Sequence, residues 1–195
     1  SRKHYDLTKR GSFCPAQLVP SILRISSRIN RIKTFKIGVK MNVRIETKPA
    51  FQVAGLALKN AQNENLPALW DRLFTEFSMP QLLSLGNGMS FGTCYDYVQE
   101  PMSFSYMAGF DLAEPDRAAK LGLKILDVPQ AEYAIFELHG PVPTCIHQGW
   151  EYAMGIWLPE HGYRHAGTPD FENYFEGDLN SPDYKMELWV PLAKI

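Results

Sequence analysis

Two glutamates sit inside runs of residues that otherwise read as buried strand. Glu187 lies in Tyr184-Lys185-Met186-Glu187-Leu188-Trp189-Val190-Pro191, where strand alternation puts it on the face of Trp189. Glu172 shares a face with Tyr174 for the same reason. A carboxylate among aromatic rings suits a lipophilic cation, because the acid offers a full charge while the rings supply apolar area and a cation–π attraction of about 0.5–2 kcal/mol. The plainer reading of either glutamate is a solvated strand face or a pair with Arg or Lys.

Other reactive signatures are weaker. Gly88-Met89-Ser90-Phe91-Gly92 matches G-x-S-x-G, but that chemistry needs the serine on a strained strand-to-helix turn, and the residues that follow are aromatic and strand-like. His161 and His165 stand four apart with Gly162 between them and no third ligand at metal spacing, so they read as surface turn residues. The chain carries neither a Walker loop nor a G-x-G-x-x-G fingerprint, and nothing calls for a metal or an organic cofactor. Cys14, Cys94 and Cys145 are odd in number and widely spaced, which fits reduced thiols, at least two of them packing residues.

The elements that must position the glutamates occur twice. Ile45/Ile125, Pro49/Pro129, Trp70/Trp150 and Phe91/Phe171 all fall at an offset of eighty, and each half reads strand, helix, strand, strand. Residues 42–58 form a strand run bent at Pro49. Leu66, Leu69, Trp70, Leu73, Phe74 and Phe77 then recur at helical spacing, with Met79-Pro80 as the stop. After the turn at Gly86-Asn87-Gly88, residues 89–98 and 102–112 read as strands, and the unit closes near Glu114-Pro115. Residues 123–138, 146–159, 171–175 and 184–192 replay the series. The expected fold is α+β: a tandem repeat of two strand-helix-strand-strand units, with antiparallel sheets, one main helix each, and a pseudo-twofold groove.

Composition narrows the class. With 195 residues and 45% apolar content, the chain can bury a good-sized core, but no stretch approaches the roughly 20 apolar residues that span a bilayer. No charged start followed by an apolar run marks a signal peptide, so the cytoplasm is the expected address and no membrane partner is expected. Residues 1–40 hold ten Lys and Arg against one acid, giving +9, whereas residues 41–195 carry −10. The basic segment 1–40 is read as an N-terminal extension or leader, since no helix-turn-helix or metal pattern organises DNA contact. Direct nucleic-acid binding is therefore not expected, and an exposed sheet edge leaves a homodimer open.

Taken together, Pro129-x-x-x-Tyr133-Ala134-x-Phe136, His139-Gly140-Pro141, Trp157-Leu158 with Gly162-Tyr163, Pro169-x-x-Glu172-x-Tyr174 and Glu187-Leu188-Trp189-Val190-Pro191 resemble the GyrI-like effector-binding domains. Those domains end AraC-type and MerR-type multidrug-responsive regulators and also occur alone. The resemblance covers residues 41–195, with repeat one at 41–115 and repeat two at 123–195, and implies the stand-alone form. It further implies a groove between the halves that binds amphipathic aromatic cations near a buried Glu, and a link to transcription regulation. Glu187 matches the acid of the family's final strand and Glu172 that of its P-x-x-E-x-Y segment; the sequence does not say which faces the groove, and Glu187 ranks slightly ahead of Glu172. Trp70, Tyr95, Tyr106, Trp150, Tyr174 and Trp189 are the candidate groove aromatics. Two alternatives stay open. One is a GyrI-like hydrolase of electrophilic small molecules with Glu187 as general base. The other is a protein-interaction module of gyrase-inhibitor type, docking a topoisomerase or polymerase subunit.

Overall fold

A computed structural model of the chain describes residues 41–99 and 102–195. The basic segment 1–40 and Cys14 lie outside the described residues. Each proline-bent run is two strands: β1 (Val43–Lys48) and β2 (Phe51–Leu58) flank Pro49, and β5 (Lys124–Val128) and β6 (Ala131–His139) flank Pro129. Proline has no N–H for a ladder, so pairing is interrupted there and each run changes partner.

Helix α1 (Leu66–Glu76) has proline in its first turn and buries Leu66, Leu69, Trp70 and Leu73. Met79-Pro80, expected only to stop it, opens a second helix, α2 (Met79–Leu83). Gln81 Oε1 accepts the Ser78 N–H at 2.9 Å, satisfying a donor that a helix start otherwise leaves unmet. The hairpin strands β3 (Ser90–Gln99) and β4 (Met102–Leu112) follow, then a short helix α3 (Pro115–Lys120). In the second half α4 (Thr144–Tyr152) runs through a π-helical turn (Ala153–Trp157) into α5 (Leu158–Glu160). Strands β7 (Tyr163–His165), β8 (Asp170–Tyr174) and β9 (Lys185–Lys194) close the chain.

The main sheet runs β1-β6-β9-β8-β3-β4-β2-β5, with β7 on β9. All its pairings are antiparallel, and their registers map onto one another at a shift of eighty residues. Ile45 pairs Ala134 as Ile125 pairs Ala54. Ala54 pairs Phe110 as Ala134 pairs Val190, and Cys94 pairs Tyr106 as Tyr174 pairs Met186. Where the halves meet, β3 pairs β8, and Gly92 stands opposite Glu172.

Closure of the sheet follows from chain length. Lys48 to Phe51 is three Cα steps, about 11 Å at most. Yet β1 and β2 are six places apart in the strand order, about 29 Å in a flat sheet. The sheet must curl until its ends meet. Rings confirm the curl: Phe51 on β2 and Phe171 on β8, three strands apart, have centroids 5.3 Å apart. Val53, Phe91, Met107, Tyr133, Ile135, Phe171 and Trp189 fill the inside of the curl, a cluster to which no helix residue among those described contributes. The outside carries α1 and α4 and a larger cluster including Trp70, Tyr106, Phe136, Trp150, Tyr174 and Leu188. No helix among the described residues is long and apolar enough to cross a membrane.

Candidate functional site

The Gly92–Glu172 pair lies under the helices at the centre of the outer face. Glu172 is 1% exposed, and Tyr174 donates its hydroxyl to Glu172 Oε2 at 2.8 Å. One strand beyond Gly92, Tyr106 accepts the Trp70 indole N–H at 2.9 Å. Trp70 meets the Tyr174 ring edge-on at 5.5 Å and stacks on Phe74 at 5.7 Å. These side chains converge because position 92 has none. A Cβ there would lie 2.3 Å from the Tyr106 hydroxyl and 2.9 Å from Glu172 Oε2, closer than real Cβ contacts occur. From the second half, α4 brings Trp150 and Cys145 to the same layer. The Cys145 thiol is pushed up to about 11, by burial first and by the Glu172 charge second.

Next to this centre is a second buried acid. Asp170 lies two residues from Glu172 and on the same face of β8, 1% exposed. It accepts hydrogen bonds from the Tyr97 hydroxyl, the Cys94 thiol and His165 Nε2, the last at 3.1 Å. Burial nevertheless outweighs these bonds and pushes its carboxyl above the ordinary value. His165 Nδ1 accepts the Gly167 N–H at 2.9 Å, which leaves its ring proton on Nε2, facing Asp170. Thus His165, expected as a surface turn residue, is a β7 residue held in the interior at 14% side-chain exposure. His161 is exposed and stacks on Trp157 at 4.2 Å.

Glu187 faces the other way. Asn173 pairs Glu187 across β8 and β9, so Glu187 points to the face opposite Glu172, at one end of the curl's interior. Its oxygens receive Arg44 at 2.6 Å, Trp189 Nε1 at 2.8 Å and Asn173 Nδ2 at 3.3 Å. Arg44 also bonds Glu46 at 2.6 Å, and the Lys48 ammonium lies 4.6 Å from the Trp189 ring centre. A depression of about 210 Å³, lined in part by Glu137, His139, Phe175 and Lys185, opens beside Glu187.

The structure therefore divides the candidate residues. Trp70, Tyr106, Trp150 and Tyr174 share the outer face with Glu172, whereas Tyr95 and Trp189 lie inside the curl with Glu187. One groove cannot use both glutamates. Ser90 opens β3 and its hydroxyl donates to the Tyr174 carbonyl at 3.5 Å. No group of three or more His, Cys, Asp or Glu placed to hold a metal occurs among the described residues. Gly92, Asp170, Tyr97 and the inward turn of His165 escape a reading of the sequence. Only Gly92 left a signal, falling eighty residues before Glu172 inside a strand run.

Comparison with known proteins bears on the family and the fold. The family model described as GyrI-like small molecule binding domain matches residues 41–193. The DNA gyrase inhibitor of Erwinia billingiae (strain Eb661) is 24% identical over 163 residues, which is 79% of this chain and 99% of that protein. Among solved structures, SAV2435 bound to tetraphenylphosphonium superposes with a TM-score of 0.67 at 22% identity, covering 78% of this chain and 94% of that one. The EcmrR C-terminal domain superposes with a TM-score of 0.56 at 17% identity, covering 80% and 100%. At these identities the two structures show a shared fold.

Proposed function

The chain belongs to the GyrI-like small molecule binding domain family, and from that premise we propose that it binds hydrophobic or cationic aromatic molecules over Glu172 on the outer face of the sheet. The observation that carries the reading is Glu172 itself, a 1%-exposed carboxylate beside Tyr174, Tyr106 and Trp70 in the layer that also holds Trp150. A carboxylate in this low-dielectric layer attracts a cation more strongly than one in water, and a cation that brings its own apolar surface enters without adding a hydrated group. The surrounding rings add cation–π attraction. The tetraphenylphosphonium held by SAV2435, a neighbour of the same fold, has this chemistry. Glu187, engaged by Arg44, Asn173 and Trp189, is a structural ion pair in this reading rather than a ligand carboxylate or a general base. Such binding suits an effector sensor linked to transcription regulation.

Titration with tetraphenylphosphonium tests the proposal in the folded wild type, Glu172→Gln and Glu187→Gln. Wild type is expected to bind in the micromolar range, about −8 kcal/mol. Glu172→Gln should lose about tenfold or more, and Glu187→Gln should stay within about threefold. Absence of binding by folded wild type, or loss in Glu187→Gln alone, refutes it.

A further inference from the structure

At their equivalent tryptophans the two halves of the outer layer differ in a hydrogen bond. The eighty-residue offset carries Trp70 onto Trp150 and Tyr106 onto Met186. Trp70 gives its indole N–H to the Tyr106 hydroxyl, but Trp150, 0% exposed, finds no acceptor for its Nε1–H among the described residues. Met186, which stands where the tyrosine would be, offers only a thioether, already against the Cys145 thiol at 3.8 Å. The carboxylate of Asp170 is met by Tyr97, His165 and Cys94, and the His165 ring lies 6.5 Å from Trp150 with both nitrogens engaged. A buried donor left this way is unusual, since roughly 90% or more of buried polar groups are paired.

The donor lies in the layer that holds the proposed ligand. Trp150 is on the buried side of α4, which packs on β6 and β9. Cys145, earlier on the same helix, is close enough to Glu172 for the carboxylate to act on its thiol. We infer that Trp150 is a specificity-determining residue of the Glu172 site, its indole N–H reading an oxygen acceptor carried by the cationic ligand. This rests on the proposed binding at Glu172 and narrows the ligand class. The preferred molecule is a lipophilic aromatic cation bearing a carbonyl or similar oxygen, rather than an all-hydrocarbon cation. The acceptor replaces the water-side hydrogen bond that burial removed from the indole, so matched ligands gain where isosteres without oxygen leave the donor unmet.

Two triphenylphosphonium cations of matched charge and shape isolate the effect: one with a 4-acetylphenyl arm and one with a 4-isopropylphenyl arm. The readout is the ratio of their dissociation constants, in wild type and in Trp150→Phe. Wild type is expected to prefer the acetyl compound about tenfold, and Trp150→Phe to bring the ratio to within about twofold of unity. In parallel, the Trp150 indole N–H resonance of the wild type should move downfield with the acetyl compound and not with its isostere, a readout that does not need the variant to fold. Binding of both cations with no preference, a preference that survives Trp150→Phe, or an indole resonance indifferent to the acetyl group overturns the inference and leaves the Glu172 reading standing. Failure of both cations to bind wild type overturns the Glu172 reading and this inference with it.

Discussion

Gly92→Ala puts the geometry of the centre to its most direct test. The added methyl would stand 2.3 Å from the Tyr106 hydroxyl, 2.9 Å from Glu172 Oε2 and 3.1 Å from Tyr106 Cζ. The first distance is more than about 1 Å inside ordinary contact. Gly92 has ordinary strand backbone, so the cost is steric. Overpacking in a buried strand costs about 1–3 kcal/mol. Displacing the Tyr106 hydroxyl adds about 1 kcal/mol, because the Trp70 N–H loses its acceptor. Against this, alanine restricts the unfolded chain and returns about 0.4–1 kcal/mol. The net expectation is about 1–3.5 kcal/mol, or about 3–10 °C in Tm for a chain of this size. Urea unfolding at unchanged m-value measures it. Tyr106→Phe removes the atom nearest the methyl, so in that background Gly92→Ala should cost about 1 kcal/mol or less, a coupling that a double-mutant cycle reads directly. A Gly92→Ala protein within about 0.5 kcal/mol of wild type, or equal costs in both backgrounds, would refute the claim that hydroxyl and carboxylate converge over this glycine.

Two further outcomes follow from the buried charges. The Asp170 carboxyl titrates above its ordinary 3.8 in the folded protein, so its stabilising contribution is complete below that value and is lost as pH rises through the folded pKa. The stability of wild type minus that of Asp170→Asn, measured by urea titration, should therefore increase as pH falls from neutral toward 4; a flat or opposite slope contradicts it. Arg44→Met leaves Glu187, 11% exposed at its side chain, with Asn173 and Trp189 as its partners among the described residues. Because Arg44 is itself 40% exposed, the expected loss is about 1–2 kcal/mol, below that of a fully buried pair, and Glu187→Gln in the Arg44→Met background should recover part of it.

Much of the fold was legible because it is written as two copies. The prolines at 49 and 129, the helical spacing around Trp70 and Trp150, and the strand runs that followed placed the principal elements close to their observed bounds. What escaped was short or depended on register. Strand β7 is three residues long, and α3 is six with a single buried alanine, too little for a periodic signal. The parity of each glutamate was readable within its own strand, Glu172 with Tyr174 and Glu187 with Trp189, and both side-chain pairs are hydrogen-bonded. Their relation to one another was not. It is set by Asn173 standing opposite Glu187, and the segment between β8 and β9 could as well have shifted that pairing by one residue. For the same reason the aromatic set could be named but not divided between two faces.

The two-residue links at Pro49 and Pro129 also govern how the molecule can move. Because they cross the curl, β1 of the first half completes the sheet of the second beside β6, and β5 of the second completes that of the first beside β2. The halves are interlaced, with β3 and β8 joined between them. Pulling the two halves apart would break three antiparallel ladders at once, β1–β6, β2–β5 and β3–β8, so the halves form a rigid frame. For a ligand bound over Glu172 as proposed, entry would come from the layer above, by α1 or α4 shifting on the sheet. In hydrogen exchange, amides of β3 and β8 should remain protected while those of α1 and α4 respond to ligand.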